Sequence, residues 1–544
     1  MNTFRRFSRN TILKTLERSI IRARTQKRMG QMAVVNVDHD QFHNLIENRG
    51  RKLLGIVKSL SQDKPRPKKL VRPVMGELLS QSTQMEELLD AYDARNNRQW
   101  SRFRSLVAAV KLFADIGYEL LHIQHSLPRY QLLPIGHDFA KATREAFAFT
   151  EKVLLEVSRQ LTSQALELNL TIYPNQAGEE LFTEHLPCGR LAHDRQTYRT
   201  QTVRETVTLL ATAFLNLAAE TELLCSDAQT WTEERPYELP ESVSEKNLRR
   251  LKFMFHSLQS LYDTHVSDTE TEGLDRQLPV LRGHISVVFH LLQTATLFAH
   301  YYERHICGQL LDASTCVKPL MKPETMLAML MNYSVIYSTS YIECAQRLCQ
   351  EMLKRYAQVG RIEVAVPRYR GFHVRPATLI AKLVLHYGSQ VRMELDGDMY
   401  DPGSPLELFR ANEKINAQKR RCLVDEVMRL GLVEVNAEGK DVMDVVRDVV
   451  SALAEKSRLI LYEQPLQLPQ EPVRKEGILL EKVTAELARL QATGKIDVES
   501  DLRVTFVGDK RVLADINLLA EGGYGEDNWG NNVTLPHELA YLRK

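Results

Sequence analysis

The chain has 544 residues, 44% hydrophobic and 26% charged, a globular composition whose length suggests three or four domains. Its net charge of +2 excludes a molecule-wide electrostatic pull toward nucleic acid. Seven cysteines (Cys188, Cys225, Cys307, Cys316, Cys344, Cys349, Cys422) are scattered, odd in number and in no metal-ligand spacing; this argues against a disulfide framework and for reduced thiols in a cytosol.

Residues 1–30 hold nine Lys or Arg against one acid, Glu17, about +8, which leaves about −6 for the remainder. Phe4, Phe7, Leu13, Leu16 and Ile20 are surrounded by Arg5, Arg6, Arg9, Lys14, Arg18 and Arg22, the spacing of a basic amphipathic helix. Two roles stay open for it. One is peripheral contact with an acidic surface, an anionic membrane or nucleic acid; the other is packing on an acidic face of its own protein or of a twin chain. It has no apolar core of the secretory type, which argues against a cleaved leader. The segment 1–62 ends where Pro65 and Pro67, set among charges, break the helical pattern.

Residues 73–360 read as an all-α body of no assignable family, with helices over 77–95, 100–126, 138–168, 198–224, 244–266, 286–309 and 323–358. Loops fall at 173–178, 234–240 and 267–273, and Gly360 stops the last helix. No run of about 18 consecutive apolar residues occurs, so no transmembrane segment is expected. Glu119-Leu120-Leu121-His122, with His125 beyond it, has one half of a di-iron spacing, but no second copy occurs between 73 and 360. His284, His290, His300 and His305 lack i, i+4 pairing and read as ordinary polar positions. There is no Gly-Lys-Ser/Thr phosphate loop. No metal or cofactor is expected.

Beyond Gly360 the pattern changes. Ile362, Val364 and Val366 alternate as in a strand, and Ala377, Ile380, Ala381 and Val384 recur as in a helix. Between them lies Gly371-Phe372-His373-Val374-Arg375-Pro376-Ala377-Thr378. Pro376 fits only the first turn, which puts His373 at the mouth of the helix, where free N–H groups attract phosphate. Arg375 adds a planar fork of donors suited to phosphate oxygens. A neutral imidazole is a good nucleophile, so His373 can hold a phosphoryl group covalently while those donors screen its charge.

The string from Gly371 to Ala377 resembles the active-centre signature of HPr, the histidine phosphocarrier of the bacterial phosphotransferase system. The resemblance runs over about 361–460. It continues through a strand with Val391, Met393 and Leu395, a turn at Asp396-Gly397, Gly403-Ser404-Pro405-Leu406 and a helical stretch. A strand over 431–435, a turn at 437–439 and a closing helix over 442–453 complete it. The resemblance implies an open-faced α+β sandwich, βαββαβα, over 361–463. It implies that His373 accepts a phosphoryl group from a phosphohistidine donor of the enzyme I type and passes it to an acceptor protein, with Arg375 holding the oxygens and no cofactor or metal. Ser404 stands where the family carries its regulatory serine, and also reads as an ordinary helix N-cap. The chain departs from the family in a longer polar segment around 409–422. Its Arg410, Lys414, Lys419, Arg420 and Arg421 read either as a sensor of charge on His373 or as a solvated basic helix. The body lacks the phosphohistidine motif of enzyme I, so the donor is expected to be another protein and the setting a bacterial cytoplasm. A second function stays open: a regulatory interaction protein in which the HPr-like domain is a phosphorylation-sensing switch and the helical body its output.

A Pro- and Gln-rich joint at 464–470 leads to a small α+β region, 471–544. It reads as a helix over 474–491 and a hairpin of 502–507 with 511–516 about Gly508-Asp509. The Gly- and Asn-rich stretch 521–532, carrying Trp529, is either a flexible connection or a binding loop whose ligand is unreadable.

Overall fold

A computed structural model describes residues 36–61, 70–173, 202–232, 239–267, 269–307, 321–435, 440–463, 465–468, 472–474 and 476–543. The basic segment 1–30, the break at 63–69, the turn at 437–439 and most of the loops 173–178 and 234–240 lie outside these residues. The described residues are mostly helical, and their strands occur only between 359 and 509. They fall into two compact units, one drawn from 1–118 and 148–187, the other from 119–147 and 188–544.

The first unit is built on helices α1 (His39–Ser61), α2 (Arg72–Ala91), most of α3 (Ser101–Ser126) and the greater part of α4 (Phe139–Glu167). Apolar residues at helical spacing form its core: Ile46, Leu53, Ile56 and Val57; Met75, Leu78 and Leu89; Phe103, Val107, Val110 and Phe113. Trp100 meets Phe42 and Phe103 edge-on, with ring centroids 5.0 and 5.8 Å away.

The helical part of the second unit contains α5 (Val203–Ala219), α6 (Glu222–Thr230), α7 (Glu245–His265), α8 (Gln277–Tyr301) and α9 (Ile336–Arg355). A reciprocal cap between Thr202 and Glu205 starts α5, and Ser244 caps α7. The helix expected over 198–224 is divided: Thr221 turns its hydroxyl back onto the Ala218 carbonyl at 2.7 Å, and α6 begins after it. Helix α8 starts earlier than expected because Pro279 sits in its first turn, where no N–H is missed. A π-type turn over Met329–Val335 leads into α9. Among the described residues no single helix is long and apolar enough to cross a membrane.

The sheet follows. Strands β1 (Val359–Ala365), β2 (Val391–Leu395) and β3 (Asp398–Tyr400) are joined by a much later strand, β6 (Arg503–Asp509), which lies between β1 and β2. All pairings are antiparallel, with Glu363 opposite Thr505, Met393 opposite Phe506 and Met393 opposite Tyr400. Val364, Met393, Leu395, Val504 and Phe506 are buried, while Arg361, Glu363, Arg392 and Arg503 on alternate positions are exposed. Helices α10 (Val374–Tyr387), α11 (Pro405–Arg429) and α14 (Lys510–Glu521) complete this layer.

Two expectations are corrected here. The closing strand is 503–509 rather than 431–435, and the closing helix is 510–521 rather than 442–453. Residues 361–463 therefore do not close the sheet alone, and 502–516 is no hairpin. Asp509 accepts from the Arg511 N–H and starts a helix, and Val512, Leu513, Ile516 and Leu519 are buried at helical spacing. The end of α11 explains the other difference. Gly431 (φ +59°) stops that helix, and Leu432 and Val433 enter a separate core as part of one helical turn, Leu432–Val435. That core belongs to an insert made of α12 (Val442–Glu455), β4 (Leu459–Leu461), α13 (Leu479–Ala492) and β5 (Ile496–Val498). It joins Leu423 and Val427 of α11 to Val446, Val450, Leu453, Val483, Leu487, Leu490 and Ile496. The element order is βαββα, the insert, then βα.

Candidate functional site at the start of helix α10

The chain enters the site through two successive left-handed residues, Arg370 (φ +56°) and Gly371 (φ +63°). A Cβ on Gly371 would stand 2.1 Å from Asn412 Oδ1, so both the backbone angle and the space require glycine. Asn412, on α11, serves this bend with a single amide: Oδ1 accepts from the Phe372 N–H at 2.9 Å and Nδ2 donates to the Arg370 carbonyl at 3.1 Å. Phe372 is fully buried, edge-on to Tyr524, whose hydroxyl donates to the Ala365 carbonyl at 2.6 Å. His373 is thereby fixed as the residue preceding α10, with Pro376 in the first turn.

The His373 imidazole is 25% exposed. Its Nε2 lies 2.7 Å from Oε2 of Glu526, a carboxylate only 7% exposed. Arg375 Nη1 donates to Asn532 Oδ1. Glu526 and Asn532 are themselves opposed in an antiparallel bridge, so a single loop engages both residues singled out in the sequence. That loop has its own scaffold. Asp527 Oδ1 accepts from the Trp529 and Asn531 N–H groups at 2.8 and 2.9 Å, and Oδ2 accepts from Asn531 Nδ2 at 2.9 Å. The Asn531 side-chain bond foremost, with these backbone N–H groups, holds the Asp527 carboxyl below its ordinary pKa. The Val533 N–H donates to the Gly525 carbonyl at 2.9 Å, and Gly530 packs so closely on Tyr369 that a Cβ would fall 2.5 Å from its ring. Tyr369 stands edge-on to His373 with centroids 5.4 Å apart, and continues through Tyr462 to the exposed Trp529. Beside the site, Arg375, Lys382, Val533, Leu535 and Arg543 help line a cavity of about 520 Å³.

His373, immediately before α10, and Arg375, in its first turn, thus sit together at the start of the helix. Ser404 precedes α11, its side chain makes no capping bond, and among the described residues it shares no hydrogen bond with either. Three cations of the longer segment are engaged: Arg410 with Glu407, Lys414 with Asp398 at 2.7 Å, and Lys419 with Asp497 at 2.9 Å. In the helical body, His290 Nδ1 meets Glu119 Oε2 at 2.7 Å and the His122 ring lies 4.2 Å from that of His290. Among the described residues no group of three or more His, Cys, Asp or Glu is arranged to hold a metal ion. His284 is buried, its Nδ1 against the Val280 carbonyl, and burial lowers its pKa. Sequence reasoning missed Glu526, Asn532, Asn412 and Tyr369. Only the composition of 521–532 marked the loop as able to carry function.

No family model, curated protein or solved structure matches the chain.

Proposed function

We propose that this chain is an HPr-like histidine phosphocarrier or phosphorelay protein. His373 accepts a phosphoryl group from a phosphohistidine donor of the enzyme I type, and the group then passes to an acceptor protein. The observation that carries this reading is the pairing of a quarter-exposed imidazole with Arg375 at the start of α10. The N–H groups of a helix start and a guanidinium both favour a transferred anion, and Arg375, now donating to Asn532, is two residues from His373. The order βαββα then βα, once the insert is set aside, agrees with the βαββαβα arrangement that the resemblance implies. Such a site asks for little chemistry beyond placement and charge stabilisation. The test is labelling by an enzyme I-type donor with phosphoenolpyruvate. Wild type is expected to take an acid-labile label that His373→Ala does not; equal labelling of both removes the proposal.

A second reading, a phosphorylation-sensing switch with the helical body as output, is favoured by how the far end of α10 is held. His386 Nε2 bonds Asn216 Oδ1 at 3.0 Å, and Gln350 of α9 donates to the carbonyls of Leu385 and His386 at 3.2 and 3.1 Å. Arg511, in the first turn of α14, donates to the Leu353 carbonyl at 2.9 Å. Turnover separates the two: a carrier loses its label to a third protein, whereas a switch holds it until hydrolysis.

A further inference from the structure

We propose that Glu526 is the positioning residue for His373, fixing the imidazole proton on Nε2 and leaving Nδ1 as the nucleophile; this role rests on the phosphocarrier reading. An ionised carboxylate has acceptors only, so a 2.7 Å contact with a neutral ring requires the hydrogen on Nε2. The lone pair of a neutral imidazole is then on Nδ1, and among the described residues no group hydrogen-bonds that atom. The loop does not need this contact to hold its shape, because Asp527, the Val533–Gly525 bond and the packing of Gly530 on Tyr369 already form it. Glu526 is nevertheless buried and aimed at the ring.

The chemistry balances without moving a proton. The Nδ1 lone pair attacks phosphorus of a donor phosphohistidine, the Nδ1–P bond forms, and the donor N–P bond breaks with its electron pair returning to the donor ring. His373 keeps its Nε2 proton throughout and becomes an N-phosphorylated imidazolium. The new positive charge faces Glu526, whose carboxylate is already in place to balance it. Transfer onward is the same step in reverse, and the ring is again left protonated on Nε2.

The experiment uses the full chain with ¹⁵N-labelled histidine. In wild type, ¹⁵N shifts and ring couplings are expected to put the His373 proton on Nε2, and ³¹P spectra after phosphorylation to put phosphorus on Nδ1. Phosphoramidate serves as a small donor needing no partner protein. Glu526→Gln keeps the shape but presents either an oxygen or an NH₂ to the ring, so mixed tautomers and phosphorylation slower by about tenfold or more are expected. Glu526→Asp keeps the acceptor charge and is expected to recover the Nε2–H tautomer and part of the rate; thermal unfolding checks that both variants fold. A wild-type proton on Nδ1, or a Gln variant with unchanged tautomer and rate, overturns the role. So does a Gln variant that reacts faster, which would make the loop a cap to be displaced. A proton on Nε2 with no labelling of His373 by phosphoramidate or by a phosphohistidine donor overturns the phosphocarrier reading itself, and the role with it.

Discussion

Asn412 shows how much at the site depends on one side chain far away in sequence. Its amide supplies an acceptor to Phe372 and a donor to Arg370, and those two residues flank the left-handed glycine before His373. Replacing it with Ala leaves a buried N–H without its partner, a loss of about 1–3 kcal/mol that urea unfolding measures. Asn412→Asp keeps the acceptor for the Phe372 N–H but sets a buried carboxylate oxygen against the Arg370 carbonyl in place of the donor, so a loss at least as large is expected. If both variants match wild type in stability and in phosphorylation rate, the bend is held by its glycine alone. The same separation explains what the sequence made legible here. Gly371, His373, Arg375 and Pro376 are neighbours, and their types announce a helix start with His373 at its mouth by themselves. Glu526 lies 153 positions from His373 and Asn412 lies 40 from Phe372. No local pattern ties either residue to the imidazole.

Helix α11 explains both the success and the failure of pattern reading at the level of elements. Its 25 residues span about 37 Å, long enough for its first half to pack beside α10 and β3 and its second half to enter the insert's core. The polar run 409–422 belongs to one continuous helix joining two cores. Strands β1 and β2 were legible because alternation coincides with a sheet exposed on one face. The short apolar run Leu432-Val433 reads equally as strand or helix, and a competing candidate at 442–453 made the wrong closure look complete. Only pairing shows that 503–509 is the closing strand. What fastens the insert to α11 is an ion pair, Lys419 Nζ to Asp497 Oδ2, with the side chains 3% and 2% exposed. Asp497 also accepts from the Val498 N–H at 2.8 Å. Lys419→Met leaves a buried carboxylate without its cation and is expected to cost about 3–5 kcal/mol, whereas Lys419→Met with Asp497→Asn costs much less. Urea unfolding of the three proteins checks this, and equal losses for the single and double variants contradict it.

At the scale of the whole second unit, α10 connects two environments. Its first residues present His373, and its last turn is set against the helical body. His386 occupies that end, its ring stacked on Tyr541 at 4.2 Å and its Nε2 on Asn216. Burial pushes the His386 pKa down to about 4 from 6.5. The sign follows from proton uptake. Above pH 6.5 the residue is neutral whether the chain is folded or not, and the contact contributes fully. Between pH 6.5 and about 4 the unfolded chain takes up a proton that the folded one refuses, so stability falls as the pH is lowered. At 1.36 kcal/mol per pKa unit, a shift of this size amounts to about 3 kcal/mol by the acid end of the window. His386→Phe keeps the stacking on Tyr541, loses the bond to Asn216 and cannot be protonated. It is expected to be slightly less stable than wild type at pH 7 and to lose less stability down to pH 4. Urea unfolding at pH 7, 5.5 and 4 compares the two. Parallel pH profiles would mean that His386 is protonated as readily in the folded chain as in the unfolded one, and that the last turn of α10 is open to water rather than held against the helical body.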